Sequence, residues 1–481
     1  MAEKHSPQQL KMNFSGENPL ASRLRSGEFS ILVEYDSPQQ EQPLESALAP
    51  GKAIAQRIKG HPLVAGMAVT DRLRGEDTHD PVHLAETLTD IAGKPVLLHV
   101  SGKGSDTKRI QDLLARAASG GISNILAVTG DRSDKHPPKG PLGRVPKHPV
   151  GYRDSVNIVR DAAQTDSPFL VGAAVSPYKY NPTDQYLQYY KMMRKLASGA
   201  EFLVSQAGWD MKKLQELQWF LQMRERDVPV IARVMLLSAE DIAHMHEGFL
   251  PGVTVSRAFI AMLQRESNIN ATQSLAAQLQ RIGLQVAGCK LLGYSGVQLA
   301  GIRDERTLTM VLKRVEETVA SLQSYPDWVA AWNEHHNDLQ FAPAADAYYA
   351  FRNLLDPAQQ MYNPDACPMS ERPFPKPSRK DLLRAATLRI LFAPKVSPSL
   401  KQAVQTVICR GCTSAPTCEW QYSAFLCPAA CPKQLVYGAC GGSGDKGRCE
   451  FGHTTCFFHR VLAVMASRHE LDLMEAEVPS D

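Results

Sequence analysis

No apolar run in this chain reaches the length of a bilayer span, and the N-terminus, MAEKHSPQQLK, contains no apolar signal stretch. A spanning or secreted protein is therefore not expected, and a cytoplasmic location is. Charge of one sign is also lacking: 53 Lys and Arg face 50 Asp and Glu, for a net charge of +3. With no Lys/Arg-rich block either, there is no case for nucleic-acid binding. No G-x-G-x-x-G follows any apolar run, which removes the dinucleotide fingerprint of an open doubly wound sheet. There is no internal repeat at solenoid spacing and no low-complexity segment. Before residue 400, cysteine is confined to Cys289 and Cys367. Cys289, in VAGCKLL, reads as a small core residue, whereas Cys367 lies in a proline-rich stretch and has no evident role.

What is present begins with the other eight cysteines. Cys409, Cys412, Cys418, Cys427, Cys431, Cys440, Cys449 and Cys456 crowd into the C-terminal tail. Thiolates at such spacings, with Gly and Pro to turn the chain, converge on one or two metal centres. Disulfides suit short secreted chains and are the weaker alternative here. All-cysteine ligation and two Cys-Pro steps favour at least one [4Fe–4S] cluster; His453 and His459 keep zinc as the alternative.

The 481 residues, 43% hydrophobic and 21% charged, suit a globular protein of two or three domains. Eight short apolar runs punctuate the first 305 residues: FSILVEYD (29–36), LVAGMAVTD (63–71), KPVLLHVSG (94–102), ISNILAVTG (122–130), FLVGAAVSP (169–177), EFLVSQAG (201–208), PVIARVML (229–236) and GVQLAGIRD (296–304). Stretches with helical apolar spacing lie between them, several ending on glycine as a C-cap does. Such strands, apolar throughout, indicate a parallel sheet covered on both faces. Eight units at this spacing predict a (β/α)8 TIM barrel, an α/β fold, with an open sheet as runner-up. A long amphipathic helix (303–322) should follow, then a proline-rich linker or surface arm (356–380), then the cysteine module. The expected boundaries are 20–310 for the barrel, 311–395 for the helical and linker region, and 396–475 for the metal-binding domain.

Barrel chemistry sits at the C-terminal ends of the strands. Those ends carry Glu34, Thr70, Asp71, His99, Thr129, Gly130, Asp131, Ser176 and Gln206, with Arg233 earlier on strand seven. A ring of polar groups there is costly unless it binds something. Asp71 and Ser176 read equally well as helix N-caps.

At these residues the chain resembles the methylenetetrahydrofolate reductases, flavin-dependent (β/α)8 barrels of one-carbon metabolism. The resemblance covers roughly residues 27–305. It rests on Glu34 in LVEYDSP, Thr70, His99, Gly130 and Asp131 in NILAVTGD, Tyr152 and Asp154 in YRDS, and Lys195 and Gln206 in KMMRKLASGAEFLVSQ. The tail resembles the cysteine-rich module that accompanies such reductases in bacteria using iron–sulfur electron transfer. The resemblance implies interconversion of 5,10-methylenetetrahydrofolate and 5-methyltetrahydrofolate, with FAD as cofactor and FMN as the alternative. Glu34 would be the general acid, with a pKa raised by a semi-buried site between flavin and folate. Gln206 would read the pterin edge, and Asp131 would bind substrate and tune charge. His99, Tyr152 and Lys195 would hold the ribityl, adenine and phosphate portions of the flavin, with Thr70, Thr129 and Gly130 beside them. Lys179, in a Ser-Pro-Tyr-Lys stretch that departs from the family's strand-five pattern, would take over a phosphate contact. Implied partners are tetrahydrofolate, NAD(P)H or a ferredoxin-like electron donor, and a second copy of the chain. A flavin-free folate-binding methyltransferase component, working with a corrinoid protein, is the alternative on the same barrel. A non-catalytic, zinc-stapled docking module is a third reading.

Overall fold

A computed structural model describes residues 18–72, 77–132, 151–247, 252–336, 347–392, 395–408, 419–444, 447–452 and 454–478. Eight strands close into one parallel barrel in chain order: β1 (Ser30–Tyr35), β2 (Val64–Val69), β3 (Val96–Ser101), β4 (Asn124–Val128), β5 (Leu170–Val175), β6 (Phe202–Ser205), β7 (Val230–Met235) and β8 (Gly296–Ala300). β8 pairs with β1 from Ser30↔Gly296 to Val33↔Leu299 and seals the sheet. Each strand coincides with one of the eight apolar runs. Strands buried on both faces cannot alternate in polarity, and the continuous Val/Ile/Leu/Ala runs follow from that.

The helices in chain order are α1 (Pro19–Ser26), α2 (Leu44–Ile58), α3 (Pro81–Ala92), α4 (Thr107–Ser119), α5 (Ser155–Ala163), α6 (Pro182–Ala197), α7 (Met211–Met223), α8 (Ala239–Glu247), α9 (Arg257–Ile269), α10 (Ala271–Leu291), α11 (Glu305–Ser321), α12 (Tyr325–His336), α13 (Arg379–Leu391), α14 (Pro398–Ile408) and α15 (Phe457–Ser467). Asn18, Asp80, Asp106, Asp154, Asn181 and Asp210 cap α1 and α3 to α7 by accepting from backbone N–H groups one or two residues into each helix. α11 packs against α2 and α10 and completes the helical ring, so the barrel extends past the expected boundary at residue 310.

Side chains alternate along a strand, so every second residue points into the barrel. The inward residues Leu32, Ala68, Leu97, Leu126, Leu170, Phe202 and Ile231 form an apolar layer. Gly172 leaves space for the Phe202 ring; a Cβ there would lie 2.3 Å from it. α1 packs Leu20, Ala21 and Leu24 against this layer. The lower barrel is a filled core, and a ligand has access only from the other end.

The start of the proline-rich arm, with the residues just before it, lies on α7. Lys213 Nζ donates to Tyr348 O at 3.0 Å, Gln215 Nε2 donates to Gln359 O at 2.5 Å, and Gln222 Oε1 accepts from Tyr362 N at 3.1 Å. The C-terminal module rests on α6 through α15 and sits over the barrel mouth. No described helix is long and apolar enough to cross a membrane.

Candidate functional site

Two residues along each strand from the apolar layer, the inward positions turn polar: Glu34 on β1, His99 on β3, Arg233 on β7 and Gln298 on β8. These four form one network. Arg233 Nε donates to Glu34 Oε2 at 2.7 Å and Nη2 to Oε1 at 2.5 Å. Gln298 Nε2 donates to Glu34 Oε2 and lies 3.3 Å from His99 Nε2. Arg233 Nη1 reaches Gln206 Oε1 at 3.1 Å. Burial alone would raise the Glu34 pKa, but the Arg233 guanidinium outweighs it, and His99 and Gln298 help, leaving it at about 2. The expectation of a raised Glu34 pKa is therefore overturned, because a cation from β7 faces the carboxylate. Burial pushes the His99 pKa below its ordinary value.

Above this layer opens a cavity of about 700 Å³, within the range of roughly 300–1,000 Å³ typical of pockets that enclose one small ligand. One wall is a face of α6: Gln188, Lys191 and Lys195, three and four residues apart, all line it. Lys195 Nζ donates to Ala174 O at 2.5 Å, and burial, then the neighbouring Lys191, lower its pKa to about 7. Ser176 Oγ and Gln188 Nε2 are buried on this wall with no hydrogen-bond partner among the described residues. Unpaired buried polar atoms are rare and costly, and they suit a ligand that brings hydroxyl or phosphate oxygens. On the opposite side Lys103 Nζ pairs with Asp131 Oδ1 at 2.8 Å. Burial raises the Asp131 pKa despite that partner.

The cysteine-rich module supplies the remaining wall. Lys433, Cys440, Gly441, Gly442 and Glu450 all line the cavity. Lys433 Nζ donates to Gly130 O at 2.7 Å, pairs with Glu450 Oε1 at 2.6 Å, and lies 4.9 Å from the Tyr152 ring centroid. Cys440 Sγ donates to Glu450 Oε1 at 3.1 Å. Three barrel cations hold the loop that carries these residues by its carbonyls. Lys191 reaches Gly438 O at 3.1 Å, Arg194 reaches Tyr437 O at 2.8 Å, and Lys179 reaches Gly441 O at 2.5 Å and Ser443 O at 2.6 Å.

Thr70, His99, Thr129, Gly130, Asp131, Lys195 and Gln206 thus lie on the cavity wall, with Glu34 beneath. Gly130 has φ +84°, and a Cβ there would meet Lys103 at 2.6 Å, so glycine is required. Two expected residues are engaged elsewhere. Lys179 is buried against the module's carbonyls and is not among the residues lining the cavity. Tyr152 directs its hydroxyl to Asp131 O at 2.9 Å and its ring to Lys433. Asp71 caps no helix; it accepts from Ser101 N at 2.9 Å and Arg109 Nη2 at 3.1 Å. Lys103, Lys191, Gln298, Lys433 and Glu450 were not singled out from sequence. Gln298 had a signal, a polar residue inside an apolar strand at the same parity as the inward layer; Lys433 and Glu450 stood beside cysteines that drew the whole reading to metal.

Cys409, Cys412, Cys418 and His453 lie outside the described residues. The five described tail cysteines are free thiols. Burial raises the pKa of Cys431, Cys440, Cys449 and Cys456, and Cys456 is raised further by the charges of the other three, so these four share one neighbourhood. Among the described residues no three His, Cys, Asp or Glu side chains form a group able to hold a metal ion.

Among solved structures, an uncharacterized protein from Clostridium thermocellum, described as binding two copies of 5-methyl-5,6,7,8-tetrahydrofolic acid, is 12% identical with a TM-score of 0.46, over 63% of this chain and 100% of its own. Tryptophan synthase from M. tuberculosis is 12% identical with a TM-score of 0.34, over 63% of this chain and 97% of its own. At these values neither likeness bears on function. Residues 395–481 match the family described as the methylene-tetrahydrofolate reductase C terminal. Residues 20–316, well over half the chain, match methylenetetrahydrofolate reductase, and the chain belongs to that family.

Proposed function

We propose that the protein interconverts 5,10-methylenetetrahydrofolate and 5-methyltetrahydrofolate with a bound flavin. The observation that carries this reading is one cavity that joins a buried carboxylate and an amide to an anion-binding helix face. A flavin dinucleotide offers phosphate and ribityl oxygens, and Lys195, with the unpartnered Ser176 Oγ and Gln188 Nε2, matches them in chemistry. FAD is the cofactor in this reading, with FMN as the alternative. When bound, the flavin supplies the hydride.

The chain's own residues do the rest. Gln206 has an acceptor already directed at Arg233 and an amide N–H₂ left to read a pterin edge. Asp131, neutralised by Lys103, lines the same cavity and accepts a hydrogen bond from the heterocycle. Opening the methylene bridge needs a proton on the departing nitrogen, and Glu34 is the carboxyl in this layer that can deliver it. The roof from the C-terminal module limits water around these groups, which strengthens every polar contact inside. The eight tail cysteines are read as thiolate ligands of a [4Fe–4S] centre, with zinc as the alternative, and a ferredoxin-like protein or NAD(P)H as the electron donor.

Glu34→Gln tests the reading. An amide keeps the shape and loses the proton, so methylenetetrahydrofolate reduction should fall about 10²–10⁴-fold while flavin content is retained. A variant that keeps most of its turnover removes Glu34 from the chemistry.

A further inference from the structure

The contacts around Glu34 favour its carboxylate form over the acid. Both of its oxygens accept from the Arg233 guanidinium, at 2.7 and 2.5 Å, in the two-pronged arrangement that a planar fork makes with a carboxylate. Gln298 Nε2 takes a further lone pair on Oε2. Three N–H donors thus take three of the roughly four lone-pair sites of the carboxylate, which favours the ionised form, and protonation of Glu34 competes with the Arg233 fork.

Arg233 also holds the second residue that the proposed function needs. Its Nη1 donates to Gln206 Oε1 at 3.1 Å, so one planar cation spans the proton source and the amide that reads the ligand. The guanidinium lines the cavity, whereas the Glu34 side chain lies beneath it with 1% exposure. A ligand entering the cavity therefore meets Arg233 before it meets Glu34. An acceptor on that ligand, such as a ring carbonyl oxygen, competes with Glu34 and Gln206 for the same N–H groups.

We infer that Arg233 is a positioning residue that holds Glu34 as a carboxylate until a ligand in the cavity draws the guanidinium off it, coupling proton transfer to substrate seating. The inference rests on the proposed role of Glu34, and it says when that role begins. Once released, Glu34 takes a proton from water and passes it to the departing nitrogen as the carbon–nitrogen bond breaks, the bonding pair remaining on nitrogen.

The other charged groups around Glu34 do not substitute for Arg233. His99 on β3 is buried, which lowers its pKa, and it reaches the carboxylate through Gln298 on β8. Asp71, after β2, acts on His99 and is itself paired with Arg109. Asp36, after β1, lines the cavity and is the second carboxylate that acts on Arg233. Burial alone drives Glu34 towards the neutral acid; Arg233 reverses that and leaves about 2 in place of the ordinary 4.5.

The experiment is an infrared titration of the ligand-free protein, with Glu34→Gln as the subtraction reference, so that the Glu34 carboxyl is read directly and turnover is not needed. Wild-type protein should show no protonated Glu34 band down to about pH 4. Arg233→Gln should show it at or above the ordinary carboxyl value, a rise in proton affinity of at least ~300-fold. Arg233→Lys keeps the charge and loses the fork; it should fall between the two, and it serves if the glutamine variant does not fold. Adding 5-methyltetrahydrofolate to wild-type protein near pH 6 should bring up the band. An unchanged titration in both Arg233 variants, or a wild-type Glu34 already protonated near pH 5 without ligand, overturns the inference. Full turnover by Glu34→Gln would sink the proposed function and leave the titration result standing, so the two failures are told apart.

Discussion

Lys433→Met removes a cation that joins the two halves of the cavity wall. In the intact protein its Nζ is shared between Glu450 Oε1 at 2.6 Å and Gly130 O at 2.7 Å, and the Lys433 side chain is 2% exposed. Without it, Glu450 keeps only the Cys440 thiol as a near donor, and the Gly130 carbonyl loses its partner. Breaking one side of a buried pair costs roughly 3–5 kcal/mol, because the charge left behind is neither solvated nor matched. That corresponds to an increase of roughly 150- to 5,000-fold in transient opening of the contact. Hydrogen exchange read by mass spectrometry should show it in peptides spanning 427–444 and 124–132, while the distant α3 stays protected. Replacing both partners together, Lys433→Met with Glu450→Leu, should recover most of the loss, since an apolar pair of similar volume leaves no buried charge. Unchanged exchange in the single variant, or a double variant as open as the single one, refutes the reasoning.

Two further outcomes are expected. At pH 8 Lys195, with its pKa near 7, is mostly neutral. Binding an anionic flavin favours the charged form, so calorimetry in two buffers should show uptake of about nine-tenths of a proton at pH 8 and about a tenth at pH 6. Lys195→Met should lose that dependence, and equal uptake in both proteins would refute it. The same depression has a stability sign: the unfolded chain binds more protons between pH 7 and the ordinary 10.5, so this lysine's destabilising contribution is full below 7 and fades as pH rises through that window. Cys431→Ser should lower the metal content of anaerobically purified protein and loosen the module, as metal and fold are coupled in such small domains; iron and zinc analysis unchanged from wild type would remove Cys431 from the ligand set.

The barrel was legible in the sequence because burial on both faces leaves a strand no polar positions to spare, and eight Val/Ile/Leu/Ala runs stand out for that reason. The strand-end residues were legible too, since a polar side chain after such a run has few structural uses. Glu34 and Gln206 were named on that ground and, with Lys195, through the family resemblance; Gln206 and Lys195 line one cavity and Glu34 lies beneath it. The protonation of Glu34 was not legible. It is decided by Arg233, which lies 199 residues away in sequence and reaches it only when β7 and β8 close the circle. The surroundings of Lys179 were not legible for a similar reason: nothing local shows that carbonyls 262 and 264 residues downstream accept from it. The expected end of the barrel at residue 310 fell inside α11, because an amphipathic helix reads the same whether it closes a ring or leaves it.

The loop that Lys179, Lys191 and Arg194 hold by its carbonyls has a consequence for the order in which the chain is assembled. β1 has no second neighbour until β8 emerges from the ribosome, so the ring forms late and across a long span of sequence. Until the tail arrives after it, three cations of the α6 region stand without the carbonyls that complete their shells. Their charge keeps that surface hydrated and discourages sticking during synthesis. Docking of residues 437–443 then converts a solvated basic strip into buried structure in one step. A segment that follows β8 in the chain is thus the one that finishes the wall of a cavity whose floor includes Glu34 of β1.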